Sequence, residues 1–233
     1  MLQIRTSDSR GRAEHGWLSS RHTFSFGHYH DPRHMGVGPL RVINEDRVQP
    51  GQGFGTHAHR DMEILSYVLD GALEHKDSMG NGSVLRYGDV QRMSAGSGVT
   101  HSEFNHSASE PLHFLQIWLL PERAGIAPGY EEKHFTAQTK RGQLRLIAAP
   151  QGEDGAVRIH QDARIYAAIL DGAERIAYPL ASGRGAYVQV IRGALTVNGQ
   201  ALHAGDAAQS VDETELDFAN AQDAEFLLFD LPR

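Results

Sequence analysis

Two histidines stand one residue apart in GTHAHRDMEILSYVLDG (residues 55–71), and a histidine and a glutamate repeat that spacing in SAGSGVTHSEFN (residues 94–105). Side chains alternate across a β-strand, so His57 and His59 share one face of their strand, as do His101 and Glu103 of theirs. If the two strands adjoin, three neutral imidazoles and one carboxylate converge on a point. That donor set suits a divalent ion of iron, manganese, cobalt, nickel, copper or zinc better than calcium or magnesium, which prefer oxygen shells. Four protein ligands leave an octahedral ion two positions for substrate, water or dioxygen. One His-x-His alone reads equally well as a surface pair; a second His-containing pair, also beside glycine-rich sequence, tips the reading to a metal site. A strand running on regularly from His59 would bring Glu63 to the same face, so spacing leaves it open as a further donor.

The elements that would hold these residues are short and β-like. MEILSYVL (62–69), LHFLQIWLL (112–120), LRLIAA (144–149), AYVQVI (186–191) and FLLFDL (226–231) are rich in β-branched and aromatic residues, with Gly, Asn, Asp or Pro bounding most of them. Asn198-Gly199 is a two-residue hairpin signal, since both central positions of a type I′ turn need positive φ. Helical periodicity is nearly absent, with AQTKRGQ or the stretch near PERAGIAPGYEE as the places for a short helix. The closely spaced glycines of GQGFG read as tight turns at a barrel mouth. An internal repeat joins the halves: YVLDGALEHKDSMGNGSVLRYGDV followed by LQIWLLP matches QVIRGALTVNGQALHAGDA followed by LLFDLP. The expectation is an all-β chain of two tandem domains, residues 1–130 and 131–233.

Composition removes several classes of function. Asp and Glu total 29 against 22 Lys and Arg, a formal charge of -7, and no run of five basic residues occurs, which argues against direct nucleic-acid binding. Without cysteine there is no disulfide, thiolate ligand or thiol nucleophile. Neither a signal-peptide core nor a membrane-length apolar run is present, so a cytoplasmic protein without membrane contact is expected. No G-x-S-x-G elbow, Walker loop or dinucleotide fingerprint is found. Histidine is the unusual count, 14 in all, with 11 at or before His113. Within HYHDPRH, His28, His30 and His34 read as solvated residues of a mobile loop, as a lining or lid of the cavity, or as a second metal site. The second repeat has no histidines flanking its glycines except His203, which cannot make a site alone.

GQGFGTHAHRDMEI, YVLDG and GDVQRMSAGSGVTHSE resemble the two metal motifs of the cupins, and more closely those of the pirin and pirin-like quercetin 2,3-dioxygenase family. HTFSFGHYHDP, LRVINEDRV and EHKDSMGN agree with it. The resemblance implies a bicupin, two jelly-roll type β-barrels of which the N-terminal one holds metal through His57, His59, His101 and Glu103. It makes Glu63 an orienter of an imidazole N–H rather than a ligand. Ala58 stands where many relatives have proline, on the side of the strand away from the metal. For activity the resemblance implies oxidative ring opening of a flavonol such as quercetin by O2, with release of carbon monoxide and a depside and with Glu103 as both ligand and general base. Fe(II) is the favoured ion, with Ni, Mn, Cu, Co or Zn as alternatives, in a protein expected to be monomeric. The family also implies a different class of function, a non-enzymatic metal-dependent regulator that binds a transcription-related protein partner. A metal-dependent isomerase or hydrolase on the same barrel is a third reading.

Overall fold

The computed structural model describes residues 1–233, whose regular elements are strands joined by loops, apart from one helical turn and two 3-10 turns. In chain order the strands are β1 (Leu2–Arg5), β2 (Gly11–Glu14), β3 (Leu18–His22), β4 (Leu40–Val48), β5 (Gly53–His59), β6 (Glu63–Asp70), β7 (Ala72–Asp77), β8 (Gly82–Arg86), β9 (Asp89–Ser94), β10 (Val99–Asn105), β11 (Leu112–Leu119) and β12 (Gly129–His134). After the helix α1 (Ala137–Lys140) follow β13 (Arg145–Ala149), β14 (Val157–Arg158), β15 (Arg164–Gly172), β16 (Ile176–Pro179), β17 (Arg184–Val197), β18 (Gln200–His203), β19 (Ala207–Ser210) and β20 (Glu215–Pro232). The helix lies in AQTKRGQ, opened by the Thr136 side chain accepting from the Thr139 N–H. PERAGIAPGYEE forms no helix; its end enters β12.

Two compact units share the chain. One contains residues 11–134 and 157–161, the other residues 1–10, 135–156 and 162–233. A single boundary after residue 130, the sequence expectation, is therefore replaced by crossings at four points. The first of these arises because β1 adds antiparallel to β19, Leu2 opposite Ser210, so the N-terminal residues complete a sheet of the later unit.

The first unit packs the sheet β12-β9-β6-β11-β4-β3-β2 against the sheet β5-β10-β7-β8. Its inward-facing residues come in layers. Along β6 they run Ile64, Ser66, Val68, and along β11 Trp118, Gln116, Phe114. Ile64 packs with Met93, Ala95, Val99 and Trp118, whereas Val68 and Phe114 pack with Leu73, Leu85 and Leu112. Between the two apolar layers the register aligns His22, Asn44, Gln116, Ser66 and Gln91 on five neighbouring strands. All five are buried. A buried polar row needs partners, and this one gives the interior of the unit its chemistry.

The second unit has the strand order β1-β19-β17-β20-β15-β13, with β16 on β20 and β18 on β17. Its main core is built on Val188, Val190, Leu228 and the stacked rings of Phe218 and Phe226, 4.6 Å apart, and the unit also buries a Lys140–Glu225 ion pair at 2.7 Å. Asn198 and Gly199, at φ 46° and 76°, turn β17 into β18 as the hairpin signal predicts. Both repeat copies use the same joints. Gly71 and Gly193 precede Ala-Leu at φ 80° and 64°, and Gly88 and Gly205 precede Asp at φ 90° and 85°. In each copy that aspartate accepts the backbone N–H three residues back, from Arg86 to Asp89 and from His203 to Asp206.

Candidate metal centre

β5 and β10 lie side by side, with His101 directly opposite His57 and Val99 opposite His59. The strand alternation turns all three imidazoles inward, with ring centroids 4.6 to 4.9 Å apart. Their ligand nitrogens fall within 4.8 Å of one another. His57 donates Nδ1–H to the Gly55 carbonyl at 2.7 Å, which leaves its Nε2 lone pair free, and that Nε2 stands 3.1 Å from Nε2 of His101. Nε2 of His59 is buried without a hydrogen-bond partner. Burial pushes the imidazolium forms out of reach, lowering His59 to about 4 and His101 to about 3, with the neighbouring histidines adding to the effect. Three imidazoles with nitrogens facing one point, two of them held neutral by burial and one with an orphaned nitrogen, are what a divalent ion requires. Two nitrogens each about 2.1 Å from one ion lie roughly 3 Å apart at right-angle coordination, close to the observed spacing of His57 and His101. The residues present fit a metal.

Glu103 lies two residues on from His101, buried, and belongs to a second grouping with His101 and His75 rather than to the His57–His59–His101 trio. Gln116 Nε2 donates to both its oxygens at 2.7 and 2.6 Å, and the Ser66 hydroxyl donates to Oε1 at 3.0 Å. The Trp118 indole N–H in turn donates to Gln116 Oε1 at 3.2 Å, which fixes the amide's orientation. Burial outweighs these hydrogen bonds and pushes the Glu103 carboxyl up to about 7. Ala58 points outward and is exposed.

Glu63 is not with the histidines. Asp61, at φ 50°, breaks the strand between His59 and Glu63, so the regular alternation does not carry over. Glu63 points to the side of β6 opposite Ser66 and accepts from the Ser94 hydroxyl and the His160 backbone N–H, at 3.1 and 3.0 Å. Any imidazole it orients is that of His160, 3.4 Å away. His28 and His30 are exposed, and His203 is a surface residue 3.6 Å from Asp206.

Sequence reading missed a pair behind the trio. His75 and Asp77 on β7 are buried, with His75 Nε2 3.2 Å from Asp77 Oδ2 and His75 Nδ1 3.5 Å from Nδ1 of His101. Tyr130 stacks on the His75 ring at 5.0 Å. One proton arrangement satisfies every contact: the Asp77 carboxylate takes Nε2–H of His75, whose Nδ1 then accepts Nδ1–H of His101. The Nε2 lone pair of His101 is thereby left free toward His57 and His59. The signal was present in the sequence, because His75-Lys76-Asp77 has the same one-residue spacing as the other pairs.

The trio opens into a cavity of about 450 Å³, walled by Trp17, Phe26, Phe54 and Trp118, with Glu103 and Gln116 also lining it. His59 meets the Trp118 ring edge to face at 4.9 Å.

Residues 3–119 match the family model described as Pirin, and residues 146–231 match that of the quercetinase C-terminal cupin domain. The chain is 46% identical over 232 residues to a protein of Escherichia coli K12 named quercetin 2,3-dioxygenase, covering all of this chain and 99% of that one. A pirin-like protein of Caulobacter vibrioides is 40% identical, with 99% of each chain covered. Among solved structures, the bacterial pirin YhhW of Escherichia coli in complex with nickel(II) superimposes with a TM-score of 0.95 at 45% identity, covering 100% of this chain and 99% of that one. Family models, relatives and fold agree along the length of the sequence, and the chain belongs to the pirin family, a bicupin of two β-domains.

Proposed function

We propose that this protein is a metal-dependent dioxygenase that opens the heterocyclic ring of a flavonol such as quercetin with O2, giving carbon monoxide and a depside. His57, His59, His101 and Glu103 are its proposed ligands, and Fe(II) its proposed ion on donor type. The observation that carries the reading is three converging imidazoles at the wall of an aromatic cavity of about 450 Å³ that also holds the buried Glu103 carboxyl. The 46% identical protein of Escherichia coli carries the name of this activity.

Once bound, the ion supplies a positive charge that favours the deprotonated form of the substrate's 3-hydroxyl. Glu103 accepts the hydroxyl proton on a carboxylate oxygen. Gln116 and Ser66 keep the carboxyl aimed at the cavity through the reaction. Trp118, Phe26 and Phe54 hold a flat ring system and exclude water from the reacting carbons.

The test is quercetin bleaching, oxygen uptake and carbon monoxide release by Fe(II)-loaded protein, compared with chelator-treated protein and with the His101→Ala and Glu103→Ala variants. Turnover that disappears with the metal and in both variants supports the reading. Metal-loaded protein that neither bleaches quercetin nor consumes oxygen rejects it, as does unaltered turnover in the variants.

A further inference from the structure

Beside the metal-facing cavity lies a second chamber of about 490 Å³, and the two meet at Trp17, Phe26, Asn44, Asp46 and Phe54. One wall of the outer chamber is the β3–β4 ladder. There His22 stands opposite Asn44, and Ser20 opposite Asp46 two residues along, so both pairs face the same side. Asn44 is 4% exposed and its Oδ1 has no hydrogen-bond partner; His22 is 6% exposed and its Nδ1 has none. Two unmet polar atoms side by side in a cavity call for a ligand that meets them. The surroundings state what kind. Phe26 stands edge-on to the His22 ring at 5.2 Å, and Trp17 edge-on to Phe54 at 5.3 Å, which leaves flat apolar faces for another ring. Inside, the titratable acid is the Asp46 carboxyl, which accepts from the Ser20 hydroxyl, while Arg12, His15 and His28 remain at the exposed rim. A carboxylate ligand would meet an acceptor at Asn44 Oδ1 and a second carboxyl at Asp46, with the basic groups only at the rim to pair with it. A hydroxyl both donates and accepts, so it serves Asn44 Oδ1 and also His22 Nδ1 in either tautomer.

We propose that the outer chamber is a subsite for the hydroxylated aromatic ring, phenol or catechol, of a substrate whose reacting ring system occupies the metal-facing cavity, with Asn44 and His22 as its hydrogen-bonding partners. The inference rests on the flavonol reading for the occupant of the inner cavity, and on the unmet atoms alone for the chemistry of the outer one. The sheet supplies the spacing: Gln116, which grips Glu103, is the neighbour of Asn44 and two strands from His22, roughly 10 Å.

Two arms test it on the full chain. In the first, quercetin, with hydroxyls on its pendant ring, and galangin, without them, are titrated into metal-loaded protein in the absence of oxygen. Quercetin is expected to bind about tenfold tighter, and His22→Phe or Asn44→Leu to bring it to the galangin value while galangin changes less than twofold. Equal affinities in the unaltered protein overturn the proposal without recourse to any variant. In the second arm, 4-fluorophenol, fluorobenzene and 4-fluorobenzoate are followed by fluorine NMR with the metal-free chain. Preference for the phenol that is lost in either variant supports the subsite even where quercetin is not turned over, which separates it from the proposed activity. Preference for the benzoate, or no discrimination, overturns it.

Discussion

His101 is held from both sides, and the side away from the cavity decides which of its nitrogens is offered. Asp77 uses its two oxygens differently: Oδ1 accepts the backbone N–H groups of Met79 and Asn81 and so closes the turn after β7, while Oδ2 accepts from the Asn81 side-chain amide at 2.9 Å and faces His75. Asp77→Asn keeps the backbone hydrogen bonds of the turn if the amide oxygen takes the Oδ1 place, but its N–H groups then face His75 Nε2 and the Asn81 side-chain amide, which loses its acceptor at that place. The His75 proton must move to Nδ1, where it opposes Nδ1–H of His101. The expected result is a 10- to 100-fold loss of metal affinity, in the range seen when the orienting partner of a ligand histidine is removed. Competition titration against a chelator measures it, and imidazole nitrogen NMR shifts report the tautomers of His75 and His101. Unchanged affinity with the tautomers exchanged would show that the pair is structural. The i, i+2 spacing makes the gathering of His57, His59 and His101 legible in the sequence, whereas spacing leaves Glu63 open beside Glu103 and the family resemblance favours Glu103. Gln116, Ser66 and Trp118 are not legible, because their roles come from cross-strand register, which no local pattern encodes.

Strands β5 and β10 add a constraint that composition misstates. Closely spaced glycines suggest turns, and Gly51, at φ 66°, is in one, but Gly53 and Gly55 lie within β5. The ladder slips between His101 and Glu103, where Glu103 pairs with Phe54 and not Gly55. That bulge turns Phe54 toward the cavity, which a regular strand from His57 would have denied it. Gly53 sits at the tightest approach: a Cβ there would come within 2.3 Å of the Glu103 carbonyl oxygen and 2.5 Å of the Phe104 Cα, whereas one at Gly55 meets nothing within 4 Å. Gly53→Ala must push β10 away beside Glu103. We expect a destabilisation of about 1–3 kcal/mol, as for overpacking elsewhere, together with reduced metal content after purification. Gly55→Ala should leave metal content unchanged. Denaturant unfolding and elemental analysis of the two variants provide the comparison, and equal behaviour would remove the steric argument. A one-residue slip is invisible in sequence because both registers keep the same composition.

At the scale of the molecule, one repeat yields two units with the same glycine joints but different interiors, and the difference has a pH signature. The repeat itself is legible, since Gly-Ala-Leu and Gly-Asp recur where the backbone needs positive φ. What the repeat hides is that the interior positions diverge: the first unit buries a polar row and the carboxyls of Glu103 and Asp46, and the second buries Val188, Val190, Phe226 and Leu228. Asp46 gives the cleanest measurement. Burial pushes its carboxyl from an ordinary 3.8 up to about 7, with the Glu45 charge adding and the Ser20 hydrogen bond opposing. A carboxyl raised on folding favours the folded state while it is protonated in both states, and that contribution falls as pH climbs from the unfolded value through the folded one. The slope is about 1.4 kcal/mol per pH unit, so the loss between pH 4 and pH 7 is of order 4 kcal/mol, with no further change above. Other groups mask it in the raw profile: Glu103 shifts in the same sense, whereas His22, His59 and His101, lowered by burial, add stability as pH rises toward 6.5. Subtracting the profile of Asp46→Asn removes these shared contributions. Urea unfolding of both metal-free proteins at pH 4, 5.5, 7 and 8 should show the Asn variant gaining on the wild type through the first three values and then holding level. A difference that does not vary with pH would mean that Asp46 stays ionised inside the unit, its charge compensated by a partner other than Ser20.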